Sequence, residues 1–295
     1  GEKMFKKLLE KIYNKGKNKC FKEVENMLIN QKKNFIITAN PETIIYATKD
    51  KEVEKMFNDK NVLIIPDGIG VVKAAKILGI DLKERIAGID IAIKLLELGN
   101  ESKKSIYFFG SKQEVIDDLL KVVKEKYPNL KEAGYQNGYV KDRDKIMEDI
   151  IKKEPDIVLV ALGIPDQEKL IYKHLNKFKK GIFVGVGGSF DVISGHKKRA
   201  PKIFIKLNLE WLYRIIKEPS RLKRFYNNNI KFIFQIKKEK KEKNVLTNFI
   251  IKNKYYILLF IFYFFIALIN QYFVFKFDFQ KYFDISMLYF CLFWS

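Results

Sequence analysis

A chain of 295 residues with 47% hydrophobic side chains can bury one sizeable core, or a soluble domain plus something smaller, and this excludes a disordered tail. Its formal net charge of +21 points to a polyanionic partner, nucleic acid or an anionic membrane surface; eighteen Lys or Arg against four Glu between residues 196 and 254 place +14 of it in the C-terminal part. Two cysteines, Cys20 and Cys291, in regions of different character exclude a disulfide framework or a zinc site and fit a reducing, cytosolic catalytic part.

The first residues, Met4-Phe5-Lys6-Lys7-Leu8-Leu9-Glu10-Lys11, read as an amphipathic helix; they are charged throughout and lack the apolar stretch of a secretory signal. Residues 35–39 form a strand, and Asn40-Pro41-Glu42 supplies an N-cap, a first-turn proline and an early acid for the helix beyond. The apolar run Val62-Leu63-Ile64-Ile65 closes abruptly in Pro66-Asp67-Gly68-Ile69-Gly70, a buried strand ending in a tight turn. A helix over 71–79 with a glycine stop follows it. Arg85-Ile86-Ala87-Gly88 is a loop, with Asp90 placed to cap a helix over 91–98. Residues 105–109 are a third strand, Gly110-Ser111 leads into a helix reaching Lys126, and 130–140 is a strand or hairpin segment. A helix over about 144–153, the very apolar strand 157–161 and a last strand at 182–186 complete the pattern. Strands alternating with helices predict an α/β fold: a mostly parallel sheet with helices on both faces.

The C-terminal part differs in character. The α/β core is expected over 1–195, a basic helical appendage over 196–236, a Lys-rich linker over 237–254 and membrane segments over 255–295. Residues 255–275 carry no charge for 21 residues, about the roughly 20 a helix needs to span a bilayer, so a transmembrane helix is expected, with the basic flank and the preceding domain on the cytosolic side. A second apolar run, 285–294, stops where the chain stops, as in a fragment whose membrane part continues.

Polar groups gather at the carboxyl ends of the expected strands: Thr38, Asn40, Asp67, Gly110, Gln167, Glu168 and the turn Gly185-Val186-Gly187-Gly188. In open α/β sheets this edge binds ligands. Asp67 is therefore either a group for chemistry or a simple cap of the next helix. The glycine turn can offer backbone N–H groups to a diphosphate but is not the full dinucleotide fingerprint. Asp142-Arg143-Asp144 has the form of a metal-holding acid pair but reads better as a helix start, and His174 and His196 are too few and too distant for a ligand set. A site without metal or other cofactor, in which Arg neutralises phosphate, is the expectation.

Taken together the blocks Thr38-Ala39-Asn40-Pro41, Pro66-Asp67-Gly68-Ile69-Gly70-Val71-Val72, Glu84-Arg85-Ile86-Ala87-Gly88-Ile89-Asp90, Ala161-Leu162-Gly163-Ile164-Pro165-Asp166-Gln167-Glu168, Gly185-Val186-Gly187-Gly188-Ser189-Phe190-Asp191 and Arg199-Ala200-Pro201 resemble glycosyltransferase family 26, the WecG/TagA/CpsF proteins. Glu210-Trp211-Leu212-Tyr213-Arg214 and Pro219-Ser220-Arg221 extend the resemblance, which covers about residues 20 to 230 and says nothing of the apolar C-terminus. It implies a Rossmann-like, inverting transferase. Such an enzyme moves an N-acetylmannosamine-type sugar from UDP to a polyprenyl-diphosphate-linked N-acetylglucosamine at the cytoplasmic face of the membrane, in polysaccharide or teichoic acid synthesis.

By that resemblance Asp67 is the base, Thr38, Asn40 and Gln167 hold the sugars, and Arg85, Gly110, Glu168, Gly187 and Gly188 lie near the substrates. Arg214, Arg221 and Arg224 belong to the appendage that closes over the site. With Lys217 they fall at helical spacing on one stripe, with a break or kink at Pro219. A membrane-attached nucleotide-sugar-binding protein without catalysis is the alternative, and a homo-oligomer is left open. Nucleic-acid binding draws only on the charge, since the core carries no recognisable motif for it.

Overall fold

The structure, a computed structural model, describes residues 4–239 and 263–264. The chain divides into two units, residues 1–240 and 241–295, and the α/β fold belongs to the first. Helices α1 (Met4–Leu9) and α2 (Lys17–Ile29) precede strand β1 (Asn34–Ala39). Helices α3 (Pro41–Ala47) and α4 (Lys51–Met56) lead to β2 (Val62–Pro66), and α5 (Ile69–Ile77) and α6 (Gly88–Glu101) lead to β3 (Ser105–Gly110). Helix α7 (Gln113–Lys126) connects to β4 (Lys131–Gln136), α8 (Arg143–Lys153) to β5 (Ile157–Ala161) and α9 (Asp166–Leu175) to β6 (Ile182–Gly185). Beyond the sheet come α10 (Ser189–Ile193), α11 (Lys202–Lys206), α12 (Glu210–Lys217), α13 (Arg221–Phe225), a π-helical segment Tyr226–Ile230 and α14 (Lys231–Glu239).

The six strands form one sheet in the order β2-β1-β6-β5-β3-β4, every pair parallel. Parallel strands buried on both faces are continuous apolar runs, and β5, buried at all five positions, is the clearest case. Alternate residues feed two cores. Phe35, Ile37, Val158 and Val160 pack with α1, α3, α4, α5, α8, α9 and α14, while Ile36, Ile157 and Leu159 pack with α2, α6, α7 and α10. Helices thus cover both faces, as the alternation of strands and helices predicts.

Two expected boundaries move. Helix α5 starts at Ile69, and α6 starts at Gly88, a turn earlier than the helix expected from Asp90. Asp90 is not the cap: its backbone N–H donates to the Ala87 carbonyl inside the first turn, and its carboxylate is held by Lys17 at 2.7 Å and by Arg199 at 2.5 Å. The segment 130–140 resolves into the single edge strand β4 followed by a loop.

The basic C-terminal helices do not all lie on the outside. Phe232 and Ile236 of α14 are fully buried in the first core, and Phe232 meets Phe5 edge to face at 5.7 Å. The Glu239 carboxylate accepts the Phe5 and Lys6 backbone N–H groups, both at 2.9 Å, so it satisfies orphan donors at the start of α1. This anchoring carries the helix through Glu239, into the stretch expected as a linker from residue 237. Among the described residues no helix is long and apolar enough to cross a membrane. The span expected over 255–275 and the apolar run 285–294 lie outside the described residues, Tyr263 and Phe264 apart.

Phe232→Ala is expected to lower the unfolding free energy by about 3–5 kcal/mol, the usual cost of emptying a buried aromatic site. Urea unfolding measures it, and a loss below about 1 kcal/mol would mean that α14 does not pack in the core.

Candidate active site

The carboxyl ends of β1, β2, β3, β5 and β6 deliver the polar residues to one edge. Backbone bonds continue the ladder past the strand ends: Asp67 N–H donates to Ala39 O at 2.8 Å, Ile86 N–H to Pro66 O at 2.8 Å, and Ser111 N–H to Ala161 O at 2.9 Å. Asp67 and the Arg85 loop are therefore fixed by the sheet itself. Asp67 does not cap the helix that follows: the N-cap is Gly68, and the Asp67 carboxylate turns to Arg85, whose Nε lies 3.5 Å from Oδ1. Burial pushes the Asp67 carboxyl above the ordinary carboxylate range, against the pull of Arg85 and Arg214 and of the Gly88 N–H, with Glu210 adding to the rise.

Arg85 has a second partner. Its guanidinium donates to Glu210 Oε2 at 2.9 Å, and Arg214, one turn further along α12, donates to Glu210 Oε1. Glu210 is buried; desolvation opposes its charge, but Arg214 and Arg85 outweigh that and hold its carboxyl below the usual range. Sequence reasoning assigns Glu210 no role. The available signals are its place in the Glu210-to-Arg214 block and its spacing four residues before Arg214, while the contact with Arg85 spans 125 positions.

The other appendage arginines also meet acids: Arg221 Nε donates to Glu218 at 2.6 Å and Arg224 to Glu42 of α3 at 2.8 Å. The four cations expected on one stripe are divided, because α12 ends at Lys217, Pro219 interrupts, and α13 begins at Arg221. Trp211 and Phe225 stack across this break at 4.5 Å, which keeps the two short helices together.

Thr38 and Asn40 are held by the protein. The Thr38 hydroxyl donates to Gly185 O at 3.1 Å and joins β1 to the end of β6. Asn40 caps α3, its Oδ1 accepting from Thr43 N at 3.1 Å in a reciprocal capping box. Gln167 Oε1 accepts from Gly163 N and Gly187 N, both at 3.2 Å, and its Nε2 donates to Glu168 Oε1 at 2.8 Å. Gly110, at φ +124°, could not be replaced by a residue with a Cβ, which would fall 2.3 Å from Ala161 O. Gly187 and Gly188 have open space where a side chain would be, although the Gly187 N–H is already given to Gln167.

The acid pair is engaged elsewhere: Asp142 caps α8 through Lys145 N at 3.0 Å, and Asp144 is bound by Lys173 and by His174, each at 2.7 Å. His196 contacts Asp118 at 2.9 Å. Among the described residues no group of three or more His, Cys, Asp or Glu is arranged to hold a metal.

A basic loop arginine between two acids, beside an open glycine turn at the carboxyl edge of a parallel sheet, accompanies a sequence match over residues 8–245 to the Glycosyl transferase WecG/TagA/CpsF family. The chain belongs to this family. It is 44% identical over 206 residues to the N-acetylglucosaminyldiphosphoundecaprenol N-acetyl-beta-D-mannosaminyltransferase of Bacillus subtilis, covering 70% of this chain and 80% of that protein. The same-named proteins of Bacillus spizizenii and Staphylococcus aureus strain MW2 are 43% identical over 187 residues (63% of this chain, 72% of the other) and 36% identical over 206 residues (70% and 80%). The family match includes the helices α11 to α14 as well as the sheet, so the Arg85–Glu210 contact lies inside the region that this glycosyltransferase shares with its family.

Glu210 adds to the rise at Asp67, so Glu210→Gln is expected to move the Asp67 titration to lower pH. In the wild type, carboxyl NMR is expected to place Asp67 above the ordinary value of about 3.9. An unchanged Asp67 titration in the variant would show that the two acids are not coupled through Arg85.

Proposed function

We propose that the chain is an inverting, metal-independent glycosyltransferase that moves an N-acetylmannosamine-type sugar from UDP to a polyprenyl-diphosphate-linked N-acetylglucosamine, in cell-wall polysaccharide or teichoic acid synthesis. The observation that carries this reading is Asp67: a carboxylate at a strand end, in a desolvated setting, with an arginine beside it and an open glycine turn on the same sheet edge. The names of the relatives supply the sugar and the lipid-linked acceptor.

In the transfer, the acceptor hydroxyl attacks the anomeric carbon from the face opposite UDP. The new glycosidic C–O bond forms as the bond to the diphosphate breaks; UDP leaves with the electron pair, and the hydroxyl proton passes to Asp67. A base with a raised pKa binds that proton better than an ordinary carboxylate, provided it is ionised at the working pH. Arg85 balances the charge of Asp67 before the transfer, and in this reading it lies near the donor. The backbone of the Gly187-Gly188 turn receives the diphosphate. Thr38 and Asn40 act mainly by fixing the edge, since the Thr38 hydroxyl and the Asn40 Oδ1 already have partners.

A lipid-linked acceptor requires the site to meet the bilayer surface, and we place the enzyme on its cytoplasmic face. The appendage exposes Ile203, Leu207, Leu222, Tyr226 and Phe234 among its many lysines, a mixture suited to the interface of an anionic leaflet. Arg214, Arg221 and Arg224 are proposed to exchange their acid partners for substrate phosphate, which Arg grips in bidentate fashion.

In an assay with UDP-N-acetylmannosamine and a lipid-diphosphate N-acetylglucosamine acceptor in EDTA, wild-type turnover is expected. Asp67→Asn should lower it by about 10²-fold or more at retained donor binding. Binding without turnover in the wild type would favour the non-catalytic nucleotide-sugar-binding alternative. Among Arg214→Lys, Arg221→Lys and Arg224→Lys, at least one is expected to cut turnover strongly at unchanged binding to anionic liposomes; three active variants would leave the segment only a surface patch.

A further inference from the structure

Glu168 takes no part in that proton transfer, yet it is 1% exposed and lies at the same sheet edge. It stands in the first turn of α9, where its Oε1 accepts from Gln167 Nε2 at 2.8 Å. Its Oε2 is buried without a hydrogen-bond partner. A carboxylate there would leave one acceptor oxygen and a full charge unsatisfied, which is costly in a desolvated place. The carboxyl lies directly against the backbone before the glycine turn: a Cβ on Gly185 would come within 2.6 Å of Gln167 Nε2 and 3.0 Å of Glu168 Oε1.

Among the described residues no ion pair joins Glu168 to a cation, and the charges that act on it most are acids. Glu42 of α3 and Asp166 of α9 are the acids that act on it, and Arg224 is already bound to Glu42. On α4, Asp50 and Glu52 pair with Lys169; on α8, Asp144 pairs with Lys173 and His174. Strands β1 and β6 carry no charged side chain.

We propose that Glu168 is a positioning residue that must carry its proton for the donor to bind. Neutral, it holds the Gln167 amide, which ties the Gly163 loop to the Gly187 turn; ionised, it sets a buried negative charge beside the turn that receives the donor diphosphate. The inference rests on the reading of that turn as the diphosphate cradle.

The sign follows from the chemistry of burial. Desolvation pushes the Glu168 carboxyl up to about 7, and Glu42 and Asp166 act in the same direction, against the hydrogen bonds from Gln167 and from the Glu168 backbone N–H. The group is protonated below that pH and ionised above it. A diphosphate close by raises its proton affinity further, so donor binding takes up a proton near neutrality and weakens as pH rises.

The test is calorimetric titration of the wild-type protein with UDP-N-acetylmannosamine, whose substituted diphosphate does not itself titrate near neutrality. Affinity is expected to fall about 30-fold between about pH 6 and about pH 8.5, and buffers of different ionisation enthalpy should reveal uptake of about half a proton at pH 7. Glu168→Gln, which keeps the side-chain shape and the bond to Gln167, is expected to bind with the same affinity at both pH values. A wild type with equal affinities at both, or a variant as steep as the wild type, overturns the proposal. Gly188→Asp tests the cradle separately. Undiminished affinity in that variant sinks the diphosphate placement and the proposal with it; weakened affinity, with the pH slope unchanged in Glu168→Gln, sinks the proposal alone.

Discussion

The site depends on one guanidinium. Arg85 is only 15% exposed and stands between Asp67, at the end of β2, and Glu210, at the start of α12. A buried arginine is tolerated only with its partners in place, and removing one partner of a buried pair typically costs about 3–5 kcal/mol. The requirement works at long range: Arg85 needs Glu210, so α12 has to come over the sheet edge, and Glu210 in turn engages Arg214. Core and appendage are thereby joined at the place where the chemistry is proposed to occur.

Around this contact the edge is built from short polar links rather than free side chains. Thr38 ties to Gly185, Gln167 joins the loops after β5 and β6, and Asn40 closes the start of α3. Interior networks of this kind are stable only when nearly every member is satisfied, and they hold their members rigidly as a result. Asp67, at the end of β2, and Glu168, with its unpartnered Oε2, sit on this rigid frame. Both carboxyls are raised by burial, and the proposals divide the work between them: the one near an arginine as base, the other as the group whose proton the donor requires.

The appendage combines two demands. Its helix α14 returns to the core through Phe232 and Ile236, while α11 to α13 carry exposed apolar residues between cations. Arg224, 63% exposed in its pair with Glu42, gains little from that pair and can give it up for a phosphate. Arg214 is bound to the buried Glu210 and is harder to release.

The α/β architecture, six strand positions, the carboxyl-edge location of Asp67, Gly187 and Gln167, and the helix break at Pro219 are legible in the order of residues alone. Each of these is local: buried parallel strands are continuous apolar runs, and proline and glycine stop elements wherever they stand. The short blocks of the sequence also carried the family. The pairings between distant residues are not legible in this way and come from the fold. Asp90 reads as a cap from its neighbours, yet it is occupied by Lys17 and Arg199, 73 and 109 positions away. Glu210 gains its partners from Arg85 and Arg214, Glu168 its raised carboxyl from burial beside Gly185, and α14 its place from Phe5. Desolvation and the meeting of charges depend on what the fold brings into contact, and no spacing along the chain records that.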